Sequence, residues 1–199
     1  MKKICLLSIL MLIGQLSFGQ SAKDILEKVA AKLTNKSGVT ASFKMESEKM
    51  GTTTGTIAVK GKKFQASTPQ AITWFDGKTQ WTYLKSNDEV NVSTPTPQQL
   101  QAINPYTFIY IYKQGYALSK TEKGDNYHVT LKTNDKKRQI QQMVVVCNKK
   151  SLVPSVIRMK RGNAWTTFTI SKLKTTSIPD SKFRFNPKDY PHAEVIDLR

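Results

Sequence analysis

Cysteine and histidine are scarce in this sequence, and their scarcity excludes several kinds of chemistry. There are 2 of each: Cys5 and Cys147, His128 and His192. Cys5 falls in an N-terminal segment expected to be removed, so no intrachain disulfide is expected to staple the fold. Cys147 closes the apolar run from Met143, where a buried, inert thiol is expected rather than a nucleophile. Neither histidine has a Cys, His or carboxylate partner at metal-ligand spacing, so no metal site and no cofactor are expected. A nucleophile elbow, a phosphate-binding glycine loop and a zinc signature are also missing. The one adjacent acidic pair, Asp88-Glu89, lies in a tight turn, and neighbouring strand residues point to opposite faces rather than forming a dyad. An enzyme is therefore not expected.

Acidic residues are few as well: 14 against 31 Lys and Arg, a net charge of +17. Without Lys2 and Lys3 the balance is 29 basic to 14 acidic, or +15. Such a surface favours anionic partners: acidic protein faces, anionic lipid headgroups or nucleic acid. Export removes nucleic acid as an expected physiological partner. Any single basic residue reads as solvated surface, because the charges are scattered through turns and strand edges.

Long apolar runs are limited to Ile4 through Leu16, which follows Lys2 and Lys3 and precedes Ser17-Phe18-Gly19. This reads as a secretory signal peptide, residues 1–19, cut before Gln20. The run is shorter than the roughly 20 residues a membrane-spanning helix needs. The mature chain is expected to be soluble, and Gln20 stands where a lipid-modified cysteine would have to be, so no anchor is expected. Residues 20–199 fit a single domain that buries roughly 70% of its unfolded surface.

The remaining sequence carries clear periodicities. Ser21 reads as an N-cap with Asp24 three residues on, and Ile25, Leu26, Val29, Ala30 and Leu33 recur at helical spacing. From Val39 the period becomes two, with Ala41, Phe43 and Met45 on one face; an odd-length connection around Gly51 is needed to bring Ile57 and Val59 to that face. A loop at Gly61-Lys62 pairs Val59 with Phe64 and Ile57 with Ala66. A two-residue loop at Asp76-Gly77 pairs Ile72 with Trp81 and Trp74 with Thr79, leaving Thr73, Lys78, Gln80 and Thr82 on the other face. Ser86-Asn87 pairs Tyr83 with Val90 and Trp81 with Val92, so Ile72, Trp74, Trp81, Tyr83, Val90 and Val92 share one surface.

Further along, Gly124-Asp125 sets Leu118 opposite Leu131, and Gly162-Asn163 sets Ile157 opposite Phe168 and Met159 opposite Thr166. Gln139 to Cys147 reads as a central strand or one covered by the helix. Phe183 and Phe185 alternate as in a final strand, followed by an extended end through Pro187 and Pro191. About ten strands in hairpin order describe a curved antiparallel sheet, half or fully closed as a barrel. Its interior is apolar; periodicity leaves open whether it is packed or hollow.

One stretch interrupts the strands, Thr96 to Gly115. Thr96 reads as an N-cap, with Pro97 at the first helical position and Gln99 completing a capping box; Asn104-Pro105 repeats the signal and Gly115 suits a stop. The first short helix shows Leu100 and Ile103 on one side, and the second, Tyr106 to Tyr112, is apolar all round. It must be covered, either as a core helix or as a lid over a cavity.

Phe75 to Ser93, FDGKTQWTYLKSNDEVNVS, resembles the hairpin and following strand of the periplasmic outer-membrane lipoprotein carrier family, the LolA-like proteins. Asn104 to Ile109 is similar to the start of that family's lid, and Lys182 to Arg199 to its C-terminal segment. The resemblance implies an unclosed, strongly curved antiparallel β-barrel with an N-terminal helix and a mid-chain helical lid. It further implies a monomeric periplasmic carrier whose apolar cavity holds the acyl chains of lipoproteins between the inner and outer membranes. The implied partners are an inner-membrane lipoprotein-releasing complex and an anchored outer-membrane acceptor. The expected cavity residues are Phe43, Met45, Ile57, Val59, Phe64, Ile72, Trp74, Trp81, Tyr83, Val90, Val92, Ile157, Met159 and Phe168. Leu100, Ile103, Tyr106, Phe108, Ile109 and Tyr112 are the expected lid. Where the family often has an arginine that latches the lid, this chain reads Val59-Lys60-Gly61-Lys62-Lys63, with a lysine as the nearest substitute. The same signals also fit a lipid-binding sensor or adhesion module of this fold that transports nothing.

Overall fold

A computed structural model describes residues 20–96, 99–100 and 111–199. The expected signal segment lies outside the described residues. The chain begins with helix α1, Ala22–Leu33, which is capped reciprocally: the Ser21 hydroxyl accepts from the Asp24 amide and the Asp24 carboxylate from the Ser21 amide. Its stripe of Ile25, Leu26, Val29, Ala30 and Leu33 is buried throughout.

Among the described residues, twelve strands follow in one sheet. They are β1 Val39–Ser47, β2 Gly51–Lys60, β3 Lys63–Ser67, β4 Ala71–Phe75, β5 Gln80–Leu84 and β6 Glu89–Ser93; then β7 Ala117–Lys123, β8 Asn126–Lys132, β9 Gln142–Asn148, β10 Pro154–Arg161, β11 Ala164–Thr175 and β12 Glu194–Asp197. The order across the sheet is β12-β6-β5-β4-β3-β2-β1-β11-β10-β9-β8-β7. The sheet is curved and unclosed, with β12 and β7 as its edges. A bulge bends β11 against β1: Thr40 pairs with Lys174 but Ser42 with Ser171, and Lys172 takes a left-handed φ of 53°.

Most of the hairpin pairs are those the turns predict, including Val59 with Phe64, Leu118 with Leu131, and Ile157 with Phe168. The Asp76 turn differs. Trp74 pairs with Trp81 and Ile72 with Tyr83, so the loop holds four residues rather than two. The Asp76 carboxylate accepts from the amides of Lys78 and Thr79 at 3.0 and 2.9 Å, which stabilises the wider turn. A slip of two residues preserves which side chains share a face.

The tail also differs. Phe183 and Phe185 do not alternate along a strand; Phe183 ends a short 3-10 turn, Asp180–Phe183, and Phe185 lies in the link to a second, Pro187–Asp189. Pro179 and Pro187 have no amide to give a ladder, and the strand forms only later, as β12, parallel to β6. Phe183 is buried in its own small cluster with Ala58 and Ile178.

Candidate functional site

Residues paired directly across the ladder share a face, so the register divides the side chains into two sets. Ala41, Ile57, Ala66, Thr73, Thr82 and Asn91 form one row, and Val59, Phe64, Phe75, Gln80 and Ser93 the next. In the other half of the sheet, Met45, Phe168, Ile157, Val145 and Val129 form a row on this same face. The α1 stripe packs on it, which makes it the inner face. Of the expected cavity residues, the structure brings together Phe43, Met45, Ile57, Val59, Phe64, Ile157, Met159 and Phe168 here. Ile57, Val59, Phe64, Ile157 and Met159 are buried in the cluster around α1. Phe43, Met45 and Phe168 are only half-buried, with the Phe43 and Phe168 rings edge-on at 6.2 Å.

The other six expected cavity residues, Ile72, Trp74, Trp81, Tyr83, Val90 and Val92, do share one surface, but it is the outer one. Ser67 pairs with Ile72 and Gln65 with Trp74, so the connection from β3 to β4 places these residues opposite Phe64 and Ala66. The tail covers them: Trp74 lies 5.7 Å from Phe185 and 5.6 Å from Tyr190, and Tyr83 lies 4.6 Å from Tyr190. Trp74, Val90 and Val92 are buried there and Ile72, Trp81 and Tyr83 half-buried, with the C-terminal strap lying over Trp74 and Tyr83. Phe75 and Ile170, absent from the sequence-derived set, belong to the inner cluster; register alone could have found Phe75, as the pair of Phe64.

The helical interruption is described only at its flanks. Thr96 forms the expected capping box, its amide donating to Gln99 Oε1 at 2.7 Å and its hydroxyl accepting from the Gln99 amide at 3.3 Å. Leu100 packs against the inner cluster, and Ile111 and Tyr112 are buried within it. Gly115 has φ 76°, as a helix stop requires. Ile103, Tyr106, Phe108 and Ile109 lie outside the described residues.

The lysines around Gly61 have separate roles. Lys60 Nζ donates to the Ile178 carbonyl at 2.9 Å and to Asp180 at 3.0 Å, and Lys63 donates to Asp180 at 2.6 Å. These bonds, Lys63 foremost, hold the Asp180 carboxyl at about 2. Both lysines thus fasten the strap on the outer side. Lys62 instead borders a recess of about 440 Å³ beside Ala30 of α1 and Tyr112. Burial pushes the Cys147 thiol up to about 11, which makes it a poor nucleophile. Among the described residues no cluster of His, Cys, Asp or Glu is arranged to hold a metal, and no helix is long and apolar enough to cross a membrane.

Comparison with curated proteins finds no match. Among solved structures, the chain is similar to an uncharacterized conserved protein from Thermus thermophilus, with 14% identity and a TM-score of 0.61, covering 89% of this chain and 99% of that one. That likeness shows a shared fold. A LolA superfamily protein from Nitrosomonas europaea matches at 12% identity and a TM-score of 0.46, over 84% of this chain and 99% of its own. A putative outer membrane lipoprotein-sorting protein domain from Vibrio parahaemolyticus matches at 11% and 0.45, over 82% and 96%. The family described as outer membrane lipoprotein carrier protein LolA matches residues 15–163, and the chain belongs to that family.

Proposed function

We propose that this protein is a periplasmic carrier that holds the acyl chains of lipoproteins against the inner face of its open sheet and moves them from the inner to the outer membrane. The observation that carries this reading is the half-buried apolar surface of Phe43, Met45 and Phe168, facing inward on an unclosed sheet in a chain of the LolA family. Hydrocarbon gains about 0.8 kcal/mol per buried methylene, so a long acyl chain gains roughly 10 kcal/mol or more from a dry concavity. Release then requires a partner or a rearrangement that exposes the concavity. The donor in this reading is an inner-membrane lipoprotein-releasing complex and the acceptor an anchored protein of the outer membrane. Residues 1–19 act as an export signal, the carrier works as a monomer, and no bond is made or broken.

The test is release of lipoprotein from inner-membrane vesicles. Added protein should move lipoprotein into the supernatant as a one-to-one complex. Binding of lipopeptide without any release would instead identify a sensor, and no binding at all would defeat the acyl-chain reading.

A further inference from the structure

The inner face is not uniformly apolar. Where α1 covers it, the rows are Ile, Val, Leu, Met and Phe. Across β4, β5 and β6 the same face carries Thr73, Gln80, Thr82, Asn91 and Ser93, with Phe75 beside them at the edge of the apolar cluster. Gln80, Thr82 and Thr73 are connected by hydrogen bonds within this strip. Gln80 Nε2 donates to Thr82 Oγ1 at 3.2 Å, and the Thr82 and Thr73 hydroxyls lie 3.5 Å apart. With the amide proton delivered to Thr82 and one hydroxyl proton shared between the threonines, the pair retains a proton for an outside acceptor. Gln80 Oε1 is buried and has no hydrogen-bond partner. Beside Gln80 and Ser93 a cavity of about 610 Å³ opens.

Hydrocarbon laid on this strip would leave the spare threonine proton and the buried Gln80 carbonyl without partners, a cost that valine or leucine there would avoid. A ligand with its own carbonyls and N–H groups removes that cost. We propose that the strip is a head-group subsite for the ester and amide linkages that join acyl chains to a peptide, so that the inner face reads an amphiphile rather than bare hydrocarbon. Ester carbonyls accept from the Thr73–Thr82 pair, and an amide N–H donates to Gln80 Oε1. This rests on the carrier reading above and names the part of the ligand that the apolar half does not see.

The test compares two probes, a synthetic diacylated cysteinyl peptide and palmitate, by calorimetric titration into the wild type, Gln80→Leu and the double variant Thr73→Val/Thr82→Val. The expected result is a loss of about tenfold in lipopeptide affinity in each variant, the scale of one hydrogen bond, with palmitate affinity unchanged. Gln80→Leu should also melt near the wild-type temperature, because removing an unpaired buried acceptor offsets the hydrogen bond lost to Thr82. If Gln80→Leu does not fold, the double variant carries the same comparison. Lipopeptide affinity that is unchanged, or that falls in step with palmitate, overturns the subsite and leaves the carrier reading intact. A wild type that binds neither probe removes the carrier reading, and the subsite with it.

Discussion

At Gly55 a single missing carbon shapes the inner face. A Cβ there would come 2.3 Å from the Ser67 carbonyl oxygen and 2.6 Å from the Phe43 ring. Gly55 is also where β2 leaves β3, whose pairing begins at Thr56 with Ser67. The ring of Phe43 uses the space a side chain would fill, and backbone cannot yield as a flexible side chain would. Gly55→Ala should therefore destabilise the fold by about 1–3 kcal/mol, the usual scale of overpacking, measurable as a lower denaturant midpoint. It should weaken acyl-chain binding too, because Phe43 must move. Ile111 is a different case: it is only 1% exposed and packs in the α1 cluster. Ile111→Ala should cost about 2–5 kcal/mol as a core truncation does, which would make the end of the helical interruption part of the core.

The C-terminal strap is the element whose role the sequence did not announce. Besides the β12–β6 ladder, side chains tie it at three places: Lys60 and Lys63 to Asp180, Arg184 to Asp76 at 3.0 Å, and Phe185 and Tyr190 over Trp74. Burial pushes the Asp76 carboxyl up, but the amides of Thr79 and Lys78 and the Arg184 side chain bring it below its ordinary value. Because Asp180 is depressed from 3.8 to about 2, its contribution is full above pH 4 and is lost as pH falls toward 2. Acid should loosen the strap and change the fluorescence of Trp74 in that window. In Asp180→Asn the signal should already be shifted at neutral pH, with a smaller change on acidification. An acid transition identical in wild type and variant would show that Asp180 does not hold the strap.

Charge acts at the scale of the whole molecule. The +15 balance of residues 20–199 is too dispersed to assign to one site, but it biases every encounter with an anionic surface. Binding to vesicles containing anionic lipid should slow as salt rises from about 0.05 to 0.3 M, across the range where the screening length falls below about 10 Å. An association rate independent of salt would reduce the charge to a matter of solubility.

At this scale the sequence by itself determined the helix stripe, its cap, most of the hairpin pairs and a curved antiparallel sheet, half or fully closed. Each of these depends on residues close in the chain: turn glycines, alternation, and capping at three-residue spacing. Even the Asp76 turn, two residues wider than predicted, kept its faces, because parity survives an even slip. Only the tertiary structure decided which face was inside. The connection from β3 to β4 turned Trp74, Tyr83 and Val90 outward, and alternation cannot tell an inner apolar surface from an outer one covered by a distant segment. The cover was a tail more than a hundred residues away, joined by Asp180 to Lys60 and Arg184 to Asp76. Contacts of that separation leave no periodic trace in the chain, because neither partner's local pattern depends on the other.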